Sequence, residues 1–512
     1  MITQSVDLFF AYFAFTKAQP MFKSFVSVLV CMLVLQAGIC QKATSSLPGL
    51  QAIREADLKA DLFDMASDHF RGREAGTLDE LKVSVWWAQK LHALGLQPVG
   101  DDGTYFQFFS MKRNRIGKAT NISVGNNALV LWKDVLVAQT APAQVNAPIL
   151  FLGNATKEAI DKADVKGKAV VIQASTEGIN LNVSLPERRY TGYVLRKYND
   201  IINRGAAALI FIADEMGEKS WPAVLPAMSR GLYDIEGGPN ATVSTRTPVL
   251  WVHAAALPWI NTPGAQLNAS IVVEQFDYPS VNIVAAVKGT DPTLSKEYVL
   301  FSGHQDHDGV RTAYGTDSIY NGADDNATVS VAILAIARAF KAQPGKRSAL
   351  FVWHGAEERG LLGSKWYATH PTVDKNAIVA VLNGDMIGRN HPDSAALLGS
   401  QAPHRNSPEL VKMAMDANIE GPRFKLDTLW DKPEHVEGWY FRSDHLPYAR
   451  AGYPALFYTT LLHPDYHTPM DEAKTIDLKK LKKVTEWMYR TGWKVATTQK
   501  RPALDPNFKL ER

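Results

Sequence analysis

Between Leu50 and Gln97 the apolar positions recur at intervals of three and four: Ile53, Leu58, Leu62 and Met65, then Leu81, Val83, Trp86, Trp87, Leu91 and Leu94. That period predicts two amphipathic helices, joined by a glycine-broken turn from Phe70 to Thr77, the second stopped by Gly95. From about Ala128 to Phe276 the texture shifts to short apolar runs between polar loops, at Pro148 to Leu152, Ala169 to Ile172, Ala206 to Ile212 and Pro248 to Val252. These runs predict strands, with one helix from Tyr193 to Arg204 closed by Gly205. After Ser280, strand patterns at Asn282 to Val287, Tyr298 to Ser302, Ser348 to Trp353, Ala377 to Leu382 and Ala455 to Thr459 alternate with helical ones. The helical patterns are Thr328 to Phe340, a second from about Leu361, and a last from Leu478 to about Val495.

Such alternation predicts an α/β fold, a mainly parallel mixed sheet flanked by helices on both faces. The middle stretch interrupts it. The expected organisation is therefore a first part of this α/β domain over 41–127, an inserted β-rich domain over 128–279, and a second part over 280–512 that carries the candidate chemistry.

Ahead of this, Lys23 precedes an apolar run from Phe25 to Ile39 that is bounded by the small residues Ala37 and Gly38 and is too short for a comfortable membrane span. That order predicts a signal peptide over 1–40, with Met21 as a more natural start than Met1, and hence export to the periplasm or medium. The only cysteines, Cys31 and Cys40, fall within it, so the mature chain is expected to rely on its core without disulfides. A net charge of +3 from 55 basic and 52 acidic residues gives no broad basic face, which sets nucleic acid aside as a partner. No stable membrane span is expected after signal removal, and nothing in the sequence fixes an oligomeric state.

Four candidate ligand positions lie just beyond predicted strands: His304 after Tyr298 to Phe301, Glu357 and Glu358 after Leu350 to Trp353, Asp385 after Val379 to Leu382, and His467 after Leu456 to Tyr458. The carboxyl ends of strands in open α/β sheets are where ligands gather, so these distant segments should converge. The adjacent pair Asp324 and Asp325 offers one more carboxylate from a loop. Two imidazoles, two terminal carboxylates and one bridging carboxylate would give each of two metals three protein ligands and a shared water, and zinc suits this donor set. Neighbouring glutamates point different ways, so Glu358 can bind metal while Glu357 serves as general base. Asp306, two residues after His304, could take the other imidazole N–H. His463 precedes Pro464, which argues against a helical metal pair with His467. His307, His354 and His445 are expected to make supporting hydrogen bonds. Trp366, Tyr367, Phe441 and Phe457 could line a pocket, though core packing is the commoner use.

The ordered set H-x-D, G-A-D-D-N, A-E-E-R-G-L-L-G-S, N-G-D-M-I-G-R, S-D-H and Y-H-T-P resembles the co-catalytic di-zinc exopeptidases that include bacterial secreted aminopeptidases and glutamate carboxypeptidase. The insert resembles a protease-associated domain. Carried onto this chain, the resemblance implies that His304, Asp325 and Asp385 hold one zinc and that Asp325, Glu358 and His467 hold the other. Asp325 would be the bridge, chosen over Asp324 because it directly precedes Asn326. It further implies Asp306 as the group orienting His304, Glu357 as the base, and Tyr440 as a hydrogen-bond donor to the developing oxyanion. The expected activity is release of N-terminal residues from peptides by a hydroxide bridging two zinc ions. A glutamate-type carboxypeptidase is the alternative, for which Arg311, Arg389 and Arg442 are the available cations; a glutaminyl cyclase or a non-catalytic receptor-like protein fits the full ligand set less well.

Overall fold

The computed structural model describes residues 47–183, 185–243 and 246–511, and Gly49–Arg512 folds as one unit. The expected signal peptide over 1–40 lies outside the described residues. Among the described residues, no helix is long and apolar enough to cross a membrane.

The main sheet contains, in chain order, β1 (Phe106–Ile116), β2 (Leu232–Ile235), β3 (Val273–Val287), β4 (Tyr298–His304), β5 (Ser348–His354), β6 (Ile378–Gly384), β7 (Ser394–Leu398), β8 (Lys425–Asp427) and β9 (Ala455–Thr459). Their order across the sheet is β8-β7-β9-β6-β4-β5-β3-β1-β2. The centre is parallel, since β4 pairs in parallel with β5 and β6, and β6 with β9. The flank β3-β1-β2 is antiparallel. Continuous apolar sequence explains the centre, because β5 and β6 are buried along their full lengths and need cover on both faces.

That cover comes from α1 (Glu55–Met65), α2 (Leu78–Ala93), α3 (Thr328–Ala342), α4 (Leu362–Thr369) and α5 (Leu478–Thr497), among others. Thr77 caps α2 by accepting from Asp79 N, and Asp477 caps α5 by accepting from Lys479 N and Lys480 N. The helix α3, TVSVAILAIARAFKA, is buried almost all round, which fits a helix sealed between the sheet and its neighbours.

The interrupting stretch forms a second sheet of eight strands, ordered Asn127–Leu129, Asn121–Val124, Gln266–Ile271, Ala143–Phe151, Ala169–Gln173, Ala208–Ile212, Val249–Val252 and Val135–Val137. Its edges depart from the expected 128–279. The sheet already begins at Asn121, and Val273 to Pro279 belongs to β3, which runs from solvent into the main core. The segment Leu232–Ile235 leaves the insert to pair with β1. The insert carries two helices packed on its own sheet: Pro186–Asn203, which starts seven residues before the expected Tyr193, and Glu215–Arg230, which contains Pro222 and Pro226 and so shows no uninterrupted helical signal in the sequence.

Candidate metal centre

Because β4, β5, β6 and β9 are parallel, their carboxyl ends share one rim, where His304 ends β4, Glu357 and Glu358 follow β5, Asp385 follows β6 and His467 stands in the loop after β9. The five candidate ligands meet there. His304 Nε2 stands 3.2 Å from Asp325 Oδ1 and 3.6 Å from Asp385 Oδ1. His467 Nε2 stands 3.0 Å from Asp325 Oδ2 and 3.2 Å from Glu358 Oε1. Asp325 thus turns one oxygen toward each imidazole. Asp324 points away, its carboxylate accepting from Gly388 N at 2.7 Å, with His463 Nε2 3.4 Å off.

The donor chemistry fits two cations. His304 Nε2, His467 Nε2, Glu358 Oε1 and Asp385 Oδ1 are buried and lack hydrogen-bond partners although they crowd within these distances. Buried polar atoms are normally paired, so such crowding without proton sharing marks atoms aimed at a common ion. The electrostatics agree. Burial alone would hold His467 neutral, yet Glu358, Asp308 and their neighbours raise it well above the usual imidazole range. Burial raises Asp385 to about 6, with Asp325 adding to the effect and His304 opposing it. Such a buried, carboxylate-rich cluster is completed by positive charge.

Glu357 lies on the His304 side, Oε2 3.9 Å from Nε2. Burial pushes its carboxyl well above the usual range, Asp385, Glu358 and Asp444 push it further, and His304 opposes them. A carboxyl poised upward in this way is suited to holding a proton in transit.

Two assigned roles need correction. Asp306 does not reach His304 with its carboxylate, which stands 3.8 Å from Nδ1; the imidazole bonds instead to the Asp306 main-chain oxygen at 3.0 Å. The Asp306 carboxylate accepts from Glu357 N at 3.0 Å and Glu358 N at 3.3 Å, so it fixes the turn that presents both glutamates. Tyr440 is wholly buried and stacked on His404 at 4.1 Å between ring centroids, within a cluster of Met386, Leu398, Trp439 and Phe457. Its hydroxyl is enclosed in this core with no hydrogen-bond partner, shut off from solvent and from the cleft's substrate.

Sequence reasoning missed four residues. Asp308 Oδ2 stands 3.3 Å from His467 Nδ1, the carboxylate–imidazole arrangement that orients a metal ligand. Burial opposes its ionisation, but His467, Arg230 and Arg359 hold it well below the usual carboxylate range. Asp471 accepts from Asp324 N at 2.9 Å and Asp325 N at 3.1 Å, clamping the bridging loop. Arg230, at the end of an insert helix, reaches Asp308 at 2.6 Å, and Arg188 from the other insert helix donates to the His467 main-chain oxygen. A cleft of about 650 Å³ lies between the insert and the rim, lined by Arg188, Arg230, Asp308, Tyr320 and His467 among others. Only Asp471, four residues after His467, had a local sequence signal.

Of the remaining candidates, His354 makes supporting bonds to Asn282 and Tyr448, both at 3.1 Å. His445 makes none and stacks on Phe457 at 4.8 Å. Tyr367 and Phe457 are core, whereas Trp366 stacks on His370. Phe441 lines a second cleft beside Arg442. Arg311 is engaged by Glu74 and Asp308, Arg389 by Asp465, and Arg442 by Glu437 and Tyr466.

Residues 282–491 match the sequence profile of Peptidase family M28. A 211-residue stretch, 39% of this chain, is 26% identical to Aminopeptidase YwaD of Bacillus subtilis (strain 168) and spans 43% of it. A 117-residue stretch is 38% identical to Leupeptin-inactivating enzyme 1 of Streptomyces exfoliatus, covering 22% of this chain and 23% of that one. The matched region thus spans about half the length or less of these curated relatives. In three dimensions the fold is similar to an aminopeptidase from Aneurinibacillus sp. strain AM-1, with a TM-score of 0.57 at 18% identity over 89% of this chain and 97% of that one. It is similar also to BSAP, a zinc aminopeptidase from Bacillus subtilis, with a TM-score of 0.55 at 18% identity over 89% and 99% of the two chains.

Proposed function

We propose, from the premise that this chain carries a Peptidase family M28 domain over residues 282–491, that the protein is a di-zinc aminopeptidase. The observation that carries this reading is Asp325, whose two carboxylate oxygens face His304 at 3.2 Å and His467 at 3.0 Å. His304 and Asp385 complete the first position with it, and Glu358 and His467 the second. Zinc bound there supplies a Lewis acid for the peptide carbonyl and lowers the pKa of a bound water to about 7. Asp306, through the Glu357 and Glu358 N–H groups, holds the two glutamates apart in role. Glu357 takes the water proton on its carboxylate and returns it to the leaving amine nitrogen.

The engaged state of Arg311, Arg389 and Arg442 counts against a carboxypeptidase, which needs a cation free for a terminal carboxylate. The insert, as a protease-associated domain, forms one wall of the substrate cleft through Arg188 and Arg230. Export rests on the order of charge, apolar run and small residues from Lys23 to Gly38, and amino-terminal sequencing of the mature protein tests it.

The test of the mechanism is Glu357→Gln, assayed on a leucine anilide and on an N-blocked acidic dipeptide with zinc content measured in the same sample. Anilide hydrolysis should fall by about 10²–10⁴-fold with zinc retained. Near-parent hydrolysis with zinc bound removes Glu357 as the base, and faster cleavage of the blocked dipeptide by the parent reverses the substrate assignment.

A further inference from the structure

His307 has no part in the scheme above, and its surroundings differ from those of His354 and His404. His354 uses both ring nitrogens, on Asn282 and Tyr448, and His404 uses both, on Asp431 at 2.9 Å and Glu511 at 2.8 Å. His307 is wholly buried, and neither of its ring nitrogens is hydrogen bonded. Yet Nδ1 stands 2.8 Å from Glu358 Oε1 and 4.0 Å from Asp325 Oδ2.

A ring N–H donates in the plane of the ring, and the hydrogen bond fails when the acceptor lies off that direction. Glu358 Oε1 is close but off-line, and it too lacks a hydrogen-bond partner. Two lone-pair atoms this near, without a shared proton, are placed as two ligands of one cation. Donor atoms each about 2.0–2.2 Å from a tetrahedral zinc stand roughly 3.3–3.6 Å apart, and the 2.8 Å to Glu358 Oε1 and 4.0 Å to Asp325 Oδ2 lie on either side of that separation. His307, Asp325, Glu358 and His467 each offer a ligand atom, and these atoms all lie within 4.8 Å of one another.

The ring is also held in place. Gly322 has φ +53°, and a Cβ there would come 2.3 Å from His307 Cγ, so the backbone packs directly on the imidazole. On another side His307 meets His467 edge to face, at 5.2 Å and 88°. Its neighbours are committed elsewhere, Asp306 to the glutamate turn and Asp308 to His467.

We propose that His307 is a fourth protein ligand of the second metal position, beside Asp325, Glu358 and His467. This rests on the two-ion reading and deepens it, because it makes the two positions unequal. The second is closed by four protein ligands, in the manner of a structural zinc site, while the first, with His304, Asp325 and Asp385, keeps an open place beside Glu357. The second ion should therefore be the last to leave under a chelator.

Zinc-edge X-ray absorption on the unaltered, zinc-loaded chain tests the assignment by counting imidazoles, with about 1.5 per ion expected if His304, His307 and His467 all bind, and about 1.0 if His307 does not. In parallel, His307→Ala is titrated with zinc against a chromophoric chelator. One of two affinities should fall at least about tenfold while the other stays within about twofold. An imidazole count near the lower value, or two unchanged affinities, overturns the proposal; should the variant fail to fold, the count on the parent decides alone. A parent that binds a single ion defeats the two-ion reading independently, and an imidazole count on that ion that falls in His307→Ala still supports His307 where an unchanged count refutes it.

Discussion

Asp308→Asn removes the charge that ties His467, a ligand in the proposed site, to the insert helix ending at Arg230. In the parent, the Asp308 carboxylate stands 3.3 Å from His467 Nδ1 on one side and 2.6 Å from Arg230 and 3.2 Å from Arg359 on the other. The substituted amide can offer one oxygen, to His467 or to the guanidinium groups but not to both, and its NH₂ must then face either an arginine or the imidazole N–H. Loss of a carboxylate that orients a metal-bound histidine costs about 10–100-fold in metal affinity, or about 1.4–2.8 kcal/mol. Breaking the buried pair with Arg230 adds a cost to folding, which Arg359 and Arg311 do not share because they keep Glu74. The assay is a competition titration with a chromophoric zinc chelator, with thermal unfolding of the metal-free chain measured alongside. The expected result is weaker binding at one of two sites together with a lowered melting temperature. Zinc affinities within about twofold of the parent would refute the claim that Asp308 positions His467.

Tyr440→Phe should leave the rate on a leucine anilide within about twofold, since loss of a true oxyanion donor would cost about 10²–10³-fold; a drop of that larger size would return Tyr440 to the active site. Glu80 is wholly buried, bonded to Gly76 N and Ser280 Oγ at 2.6 Å each, and burial, with Asp306 adding, raises it to about 8. Its folded pKa exceeds its unfolded value of about 4.3, so its contribution to stability is complete below that value and is lost as pH rises toward the folded one. Glu80→Gln keeps both bonds without titrating. Denaturant unfolding from about pH 5 to 9 should therefore show the parent losing stability relative to the variant, and parallel curves would contradict the assignment.

The rim was legible in the sequence because His304 ends one strand and Asp385 directly follows another, Tyr298–His304 and Ile378–Gly384, whose apolar runs are continuous, and parallel strands bring their carboxyl ends to one edge. The choice of Asp325 over Asp324 came from the motif, and the loop geometry that turns them apart depends on Asp471, 146 residues onward. The positioning contacts were not legible for the same reason. Arg230 ends a helix and Asp308 lies in a loop 78 residues onward, and no local period encodes their meeting. Asp306 shows a subtler limit. The H-x-D spacing rightly places it beside His304, but whether its carboxylate or its carbonyl reaches the ring depends on the turn at Glu357, which the carboxylate caps instead. Tyr440 fails because its three-residue offset from Ser443 says nothing about burial, and the core encloses its hydroxyl.

The account depends most on Asp325 lying between two ions. Anomalous diffraction at the zinc edge from crystals of the zinc-loaded protein measures this directly, and it should give two peaks about 3.5–4 Å apart, one on each side of the Asp325 carboxylate. A single peak, or a pair of peaks that Asp325 does not bridge, would contradict it.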